Sequence, residues 1–66
     1  MSEPIINGFT VTELCACARR ELALRKKVYP RRVKDDYMSA EDAEREIAMM
    51  RAIANHFEDL KEPKLF

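Results

Sequence analysis

Two runs of apolar residues recur at helical spacing in this chain, with a short polar segment between them. In the first, Val11, Leu14, Cys15, Ala18, Leu22, Tyr29 and Val33 fall on one face when stepped at about 100° per residue. In the second, Ala43, Ile47, Met50, Ile53, Ala54, Phe57 and Leu60 make a continuous stripe of a/d character, widened on one side by Met49 and His56. The connection, Lys34 to Met38, is short. Two amphipathic helices joined that closely pack antiparallel, so the fold class predicted is all-α, an antiparallel helical hairpin.

Boundary signals refine this into a single helical domain spanning 1–66. Residues 1–9 contain Pro4, Asn7 and the only glycine, Gly8, and read as an extended N-terminal arm. Ile5, Ile6 and Phe9 make this arm too apolar for a free tail, so it is expected to lie on the body of its own or a neighbouring subunit. Thr10-Val11-Thr12-Glu13 fits a capping box that opens helix 1, with Phe9 placed for a hydrophobic staple. Helix 1 spans 10–34. Pro30 lacks an amide hydrogen and disfavours helical geometry at Tyr29, so the helix is expected to kink or break near residue 30. Ser39 reads as the N-cap of helix 2, over 39–61, with Glu41 and Asp42 favourable to the helix dipole and Glu41 to Arg45 an i,i+4 pair. Pro63 ends helix 2, and the tail 62–66 carries Leu65 and Phe66, expected to dock on a neighbour.

A hairpin of this size is poorly equipped to stand alone. At 66 residues, folding buries only roughly 60% of the unfolded chain's surface. Cys17, Leu24 and Val28 form a second apolar ribbon on helix 1, a quarter-turn or more from the first, and one partner helix cannot cover both. The chain is therefore expected to associate with itself into a homo-oligomeric helical bundle. Cys17, Leu24, Val28, Met49, Ile53, Phe57 and Leu60 form the expected oligomer interface.

Disulfides and metals offer little instead. Cys15 and Cys17 lie two apart on a helix and cannot bridge each other, and His56 is the only histidine, so neither a metal site nor a cofactor is expected. With no signal peptide, no membrane span and no cysteine framework, the chain reads as a soluble protein of a reducing cytoplasm. Catalysis is not expected either. The thiols sit mid-helix, His56 is alone, and Asp35 and Asp36 lack matching ligands or acids.

Charge is distributed unevenly although it sums to zero. From Arg19 to Lys34 there are eight basic residues against the single acid Glu21, a net of +7; from Asp35 to Glu62 nine acids face Arg45, Arg51 and Lys61, a net of −6. Within the basic half, Arg20, Lys27, Arg31 and Lys34 align on one face if the helix continues through Pro30. Lys26 and Arg32 complete the candidate phosphate-binding set, because guanidinium forks and ammonium groups suit phosphate oxygens. Tyr29 is the candidate base-stacking residue, weighed against a core role at the helix end.

The runs Glu21–Val33 and Glu44–Ile53 resemble small, uncharacterised phage and prophage proteins over about half of the chain. The pattern of those proteins usually has a loop glycine where this chain has Asp35 or Asp36. The resemblance implies a phage accessory protein, of a kind that includes anti-defence proteins. Some of these are oligomeric sponges that sequester nucleotide immune signals between subunits. The leading expectation is accordingly an oligomer that binds a phosphorylated, nucleotide-type second messenger. Three alternatives stand beside it: an inhibitor docking on a host defence protein, of anti-CRISPR or anti-restriction type; a regulator of duplex DNA, disfavoured by the acidic second helix; and a structural oligomer without ligand.

Overall fold

A computed structural model describes residues 3–61. Two strands, β1 (Ile5–Ile6) and β2 (Phe9–Thr10), precede two helices, α1 (Val11–Lys34) and α2 (Ala40–Lys61). The molecule is mostly helical, and α1 and α2 pack into an antiparallel hairpin with Arg25 level with Glu46. The tail 62–66, with Pro63, Leu65 and Phe66, lies outside the described residues.

The N-terminal arm departs from expectation. Residues 5–10 fold back as an antiparallel β-hairpin that pairs Ile5 with Thr10 and Ile6 with Phe9. Asn7 and Gly8 form its turn, both with positive φ, 51° and 86°. A two-residue turn with left-handed geometry at both positions favours Asn-Gly, because Gly has no Cβ to clash and Asn tolerates that region. This signal was present in the sequence and outweighs the extended reading. The arm's apolar side chains are not buried on the body, since Ile5 is 60% and Phe9 54% exposed.

What the β-hairpin does accomplish is a complete cap on α1. The first four amides of a helix lack intrahelical acceptors. Here the Thr10 amide donates to Glu13 Oε1 at 2.9 Å and the Glu13 amide to Thr10 Oγ1 at 3.1 Å, closing the capping box. The Val11 amide donates to the Pro4 carbonyl at 3.2 Å, and the Thr12 amide to the Glu3 carboxylate, which also accepts from the Thr12 hydroxyl at 2.9 Å. All four amides are thereby satisfied. Two carboxylates sit at the positive end of the helix dipole, and the hydrogen bonds from the Thr10 amide and then its hydroxyl hold the Glu13 carboxyl below its usual pKa.

α1 runs without a break through Pro30. The ring removes one amide donor and leaves the Lys26 carbonyl without its helical partner, but the helix is reinstated at once because Pro30 fixes its own φ at a helical value. α1 stops instead at a Schellman motif. The Asp36 amide donates to the Val33 carbonyl at 3.1 Å and the Tyr37 amide to the Arg32 carbonyl at 2.8 Å, with Asp36 at φ 61°. Ser39 then caps α2, its Oγ accepting from the Asp42 amide at 3.0 Å. The Glu41–Arg45 ion pair does not form among the described residues.

The core is one layer deep. Ala18 and Leu22 of α1 meet Met50 and Ala54 of α2, with Ile47 packed against them. Val11, Cys15 and Ala43 are buried outside this cluster, and no polar or charged residue among the described ones joins them. Arg25 ties the helices together: its Nη1 donates to the Glu46 carbonyl at 2.9 Å and lies 3.5 Å from the Glu46 carboxylate, while its Nε is 3.8 Å from Glu21.

Candidate functional site

Continuity of α1 through Pro30 decides how its cations are arranged. Arg20, Lys27, Arg31 and Lys34 stand at intervals of seven, four and three, so an unbroken helix places them on one face, opposite the buried residues Val11, Cys15, Ala18 and Leu22. At 1.5 Å per residue the stripe is about 21 Å long. All four are exposed, and none takes part in an ion pair among the described residues. The stripe is an outward-facing surface, and the three main concavities of the described residues leave Lys27, Arg31 and Lys34 outside their linings.

The other two candidate phosphate ligands lie elsewhere. Lys26 projects roughly a quarter-turn from Lys27. Arg32 joins Tyr29 in a small concavity of about 250 Å³ that Glu21, Leu24, Arg25 and Val28 also line. The half-buried Tyr29 ring carries two guanidiniums, Arg25 Cζ at 5.9 Å and Arg32 Cζ at 5.6 Å from its centroid. Cation–π attraction of this kind already uses ring surface that a base would need. Arg25 is the residue whose role the sequence reading missed. It falls at 22, 25, 29 spacing on the buried stripe, and that register marks it as a helix-to-helix tie instead of a surface cation. Its buried Nε has no hydrogen-bond acceptor among the described residues.

The two broad sides of the hairpin differ in chemistry. On one, the Cys15 thiol donates to Glu58 Oε1 at 3.3 Å, Arg19 lies 3.5 Å from the same carboxylate and donates to Asn55 Oδ1, and Lys61 is 3.2 Å from Glu58 Oε2. Burial pushes the Cys15 thiol pKa up, and the Glu58 carboxylate reinforces it. The thiol's hydrogen bond, then the Lys61 and Arg19 cations, hold Glu58 below the usual carboxylate range. Cys15 is thus kept protonated, the opposite of what a nucleophile requires.

The other side is open and apolar. A groove of about 580 Å³ runs along it, lined by Leu14, Cys17, Ala18, Leu24, Met50, Ile53 and Phe57, with Arg20 and Glu21 at the rim. Of the residues expected at an oligomer interface, Cys17, Leu24, Ile53 and Phe57 meet here, Val28 lines the neighbouring concavity, and Met49 and Leu60 line neither. Leu24 is 54% and Ile53 47% exposed.

No three His, Cys, Asp or Glu side chains converge as metal ligands among the described residues, and no helix among them is long and apolar enough to cross a membrane. No family model matches the sequence, and neither a curated protein nor a solved structure shows significant similarity to it.

Proposed function

We propose that this chain is a non-catalytic binding protein that holds a phosphorylated, nucleotide-type small molecule against α1, in an assembly of several copies. The observation that carries the reading is the stripe Arg20, Lys27, Arg31 and Lys34: four exposed cations on one continuous helix face with no carboxylate partner among the described residues. Cations left unneutralised in a chain of zero net charge form a local anion-attracting field. The stripe is open, so a pocket needs walls from another copy. Together with the likeness of residues 21–33 and 44–53 to small phage proteins, this supports an anti-defence sponge acting in the cytoplasm of a host bacterium.

Calorimetric titration with cyclic dinucleotides and inorganic phosphate tests the reading. Saturable binding of a nucleotide probe that disappears in the Lys27→Glu/Lys34→Glu protein is expected. Absence of saturable binding to every phosphorylated probe refutes it.

One observation favours a second reading. Glu41, Asp42 and Glu44 crowd the first turns of α2 without ion pairs among the described residues, on a shallow surface shared with Arg45 and Ala48. Such a surface suits a basic protein partner, as in an inhibitor that imitates DNA phosphates to block a host defence complex. Retention of one defined host protein by the Lys27→Glu/Lys34→Glu chain, and its loss on Glu41→Lys/Glu44→Lys, would support this reading over the first.

A further inference from the structure

We infer that the open apolar side of the hairpin is covered by a second copy of this chain, stacked face to face with both α1–α2 loops at the same end. The inference specifies the assembly on which the proposed function rests, and it stands or falls without any ligand.

Exposed apolar side chains favour an occupant. On this side Leu24 is 54%, Ile53 47% and Met49 41% exposed. A standard stable interface covers roughly 800 Å² per partner. The molecule measures 48 × 27 × 16 Å, so a broad side has room for such an interface. The apolar side chains are already in register for it. Cys17, Leu24 and Val28 on α1, and Met49, Ile53 and Leu60 on α2, recur at intervals of seven and four or four and seven, the repeat by which helices of a bundle interlock. The opposite side is already closed by polar contacts around Glu58, so the apolar side is the one left to cover.

Charge identifies the occupant and its direction. Continued toward the loop, the α1 ribbon reaches Arg31 three residues after Val28, and the α2 ribbon begins at Asp42 seven residues before Met49. Both residues are exposed and without ion pairs among the described residues. A two-fold axis parallel to the helices lays α1 of each copy over α2 of the other with loops together, and Arg31 of one then faces Asp42 of the other, twice. An axis across the helices lays α1 over α1 with loops apart. That arrangement sets Arg31 against the N-terminal half of α1 and Asp42 against the apolar Leu60 end, leaving both charges unpaired at the rim. The same patch serves both copies in either case, as a closed two-fold interface requires, but only the first is electrostatically self-complementary.

Sedimentation equilibrium and thiol kinetics on the full chain test this. Wild type is expected at twice 7.7 kDa. Cys17, exposed in the single hairpin, is expected to lose most of its reactivity toward a maleimide as concentration rises. Leu24→Glu and Ile53→Glu change residues about half-exposed in one copy, so they should leave the hairpin's helicity intact while giving a monomer with reactive Cys17. In a Cys17→Ser background, Tyr37→Cys in the loop should cross-link through a short bismaleimide. Loops at opposite ends of a 48 Å molecule cannot do so. A monomer at every concentration, a dimer unaffected by Leu24→Glu and Ile53→Glu, or a dimer without the loop cross-link overturns the inference.

Discussion

Leu22 and Leu24 sit two residues apart on α1 and should respond differently to the same truncation. Leu22 is 7% exposed and packs with Ala18, Met50 and Ala54. Replacing it with Ala removes buried carbons and leaves a space that two alanines cannot fill, although the flexible Met50 can move part of the way in. Costs for such changes run from about 2 to 5 kcal/mol, and partial collapse onto Met50 argues for about 3 kcal/mol here. Against a total stability of roughly 3–10 kcal/mol for a chain this size, Leu22→Ala should leave the hairpin marginal at any concentration. Leu24 is 54% exposed, so a single hairpin should lose only about 0.5 kcal/mol on Leu24→Ala. A covering copy buries the exposed half, worth about 1 kcal/mol per copy. Over the two copies that is about 2 kcal/mol, a roughly thirtyfold weaker dimer. Urea unfolding followed by far-ultraviolet circular dichroism at widely separated protein concentrations distinguishes the two. The Leu22→Ala deficit should persist at every concentration, while the Leu24→Ala deficit should grow with concentration, as association stabilises the wild type more than the variant. A Leu24→Ala cost equal to that of Leu22→Ala and independent of concentration would refute the reasoning.

Other substitutions examine the local structure. Thr10→Ala removes the hydroxyl that accepts from the Glu13 amide and should cost about 1 kcal/mol, a fall of roughly 4–8 °C in Tm by calorimetry. Asp36→Gly relieves a left-handed residue at φ 61° and should raise Tm, by about 0.5–1 kcal/mol of stability, whereas Asp36→Val should lower it. Glu58 has its pKa lowered in the fold, chiefly by the Cys15 hydrogen bond, so the unfolded chain binds the extra proton first as pH falls. Its contribution is full at neutral pH and lost below the ordinary carboxylate range. Wild type should therefore lose more stability on acidification than Glu58→Gln, read as a difference in the pH dependence of the urea midpoint.

Helix positions and the buried face were legible in the sequence because periodicity and caps are local signals. Val11, Cys15, Ala18 and Leu22 are buried where 3.6-residue stepping places them, and Thr10 and Ser39 cap as their hydroxyls predict. Two local features were harder to read, for physical reasons. Pro30 disfavours helix at Tyr29, which allowed either a kink or a break, and of these the break is not realised because α1 continues through it. Asn7-Gly8 carried the turn signal, but strands of two residues are too short to show alternation. The candidate site was legible only in part. The alignment of Arg20, Lys27, Arg31 and Lys34 followed once α1 proved continuous, whereas the diversion of Arg25 into a tie with Glu46 and the two guanidiniums on Tyr29 depend on the partner helix and on rotamers.

Native mass spectrometry of the protein expressed in bacteria and sprayed without desalting into organic solvent is the most direct test, since assembly and retained ligand appear in one spectrum. The account predicts an even multiple of the 7.7 kDa chain carrying added mass of nucleotide size, the added mass absent from the Lys27→Glu/Lys34→Glu protein. A bare 7.7 kDa species at all concentrations would contradict both the covered groove and the pocket built on it.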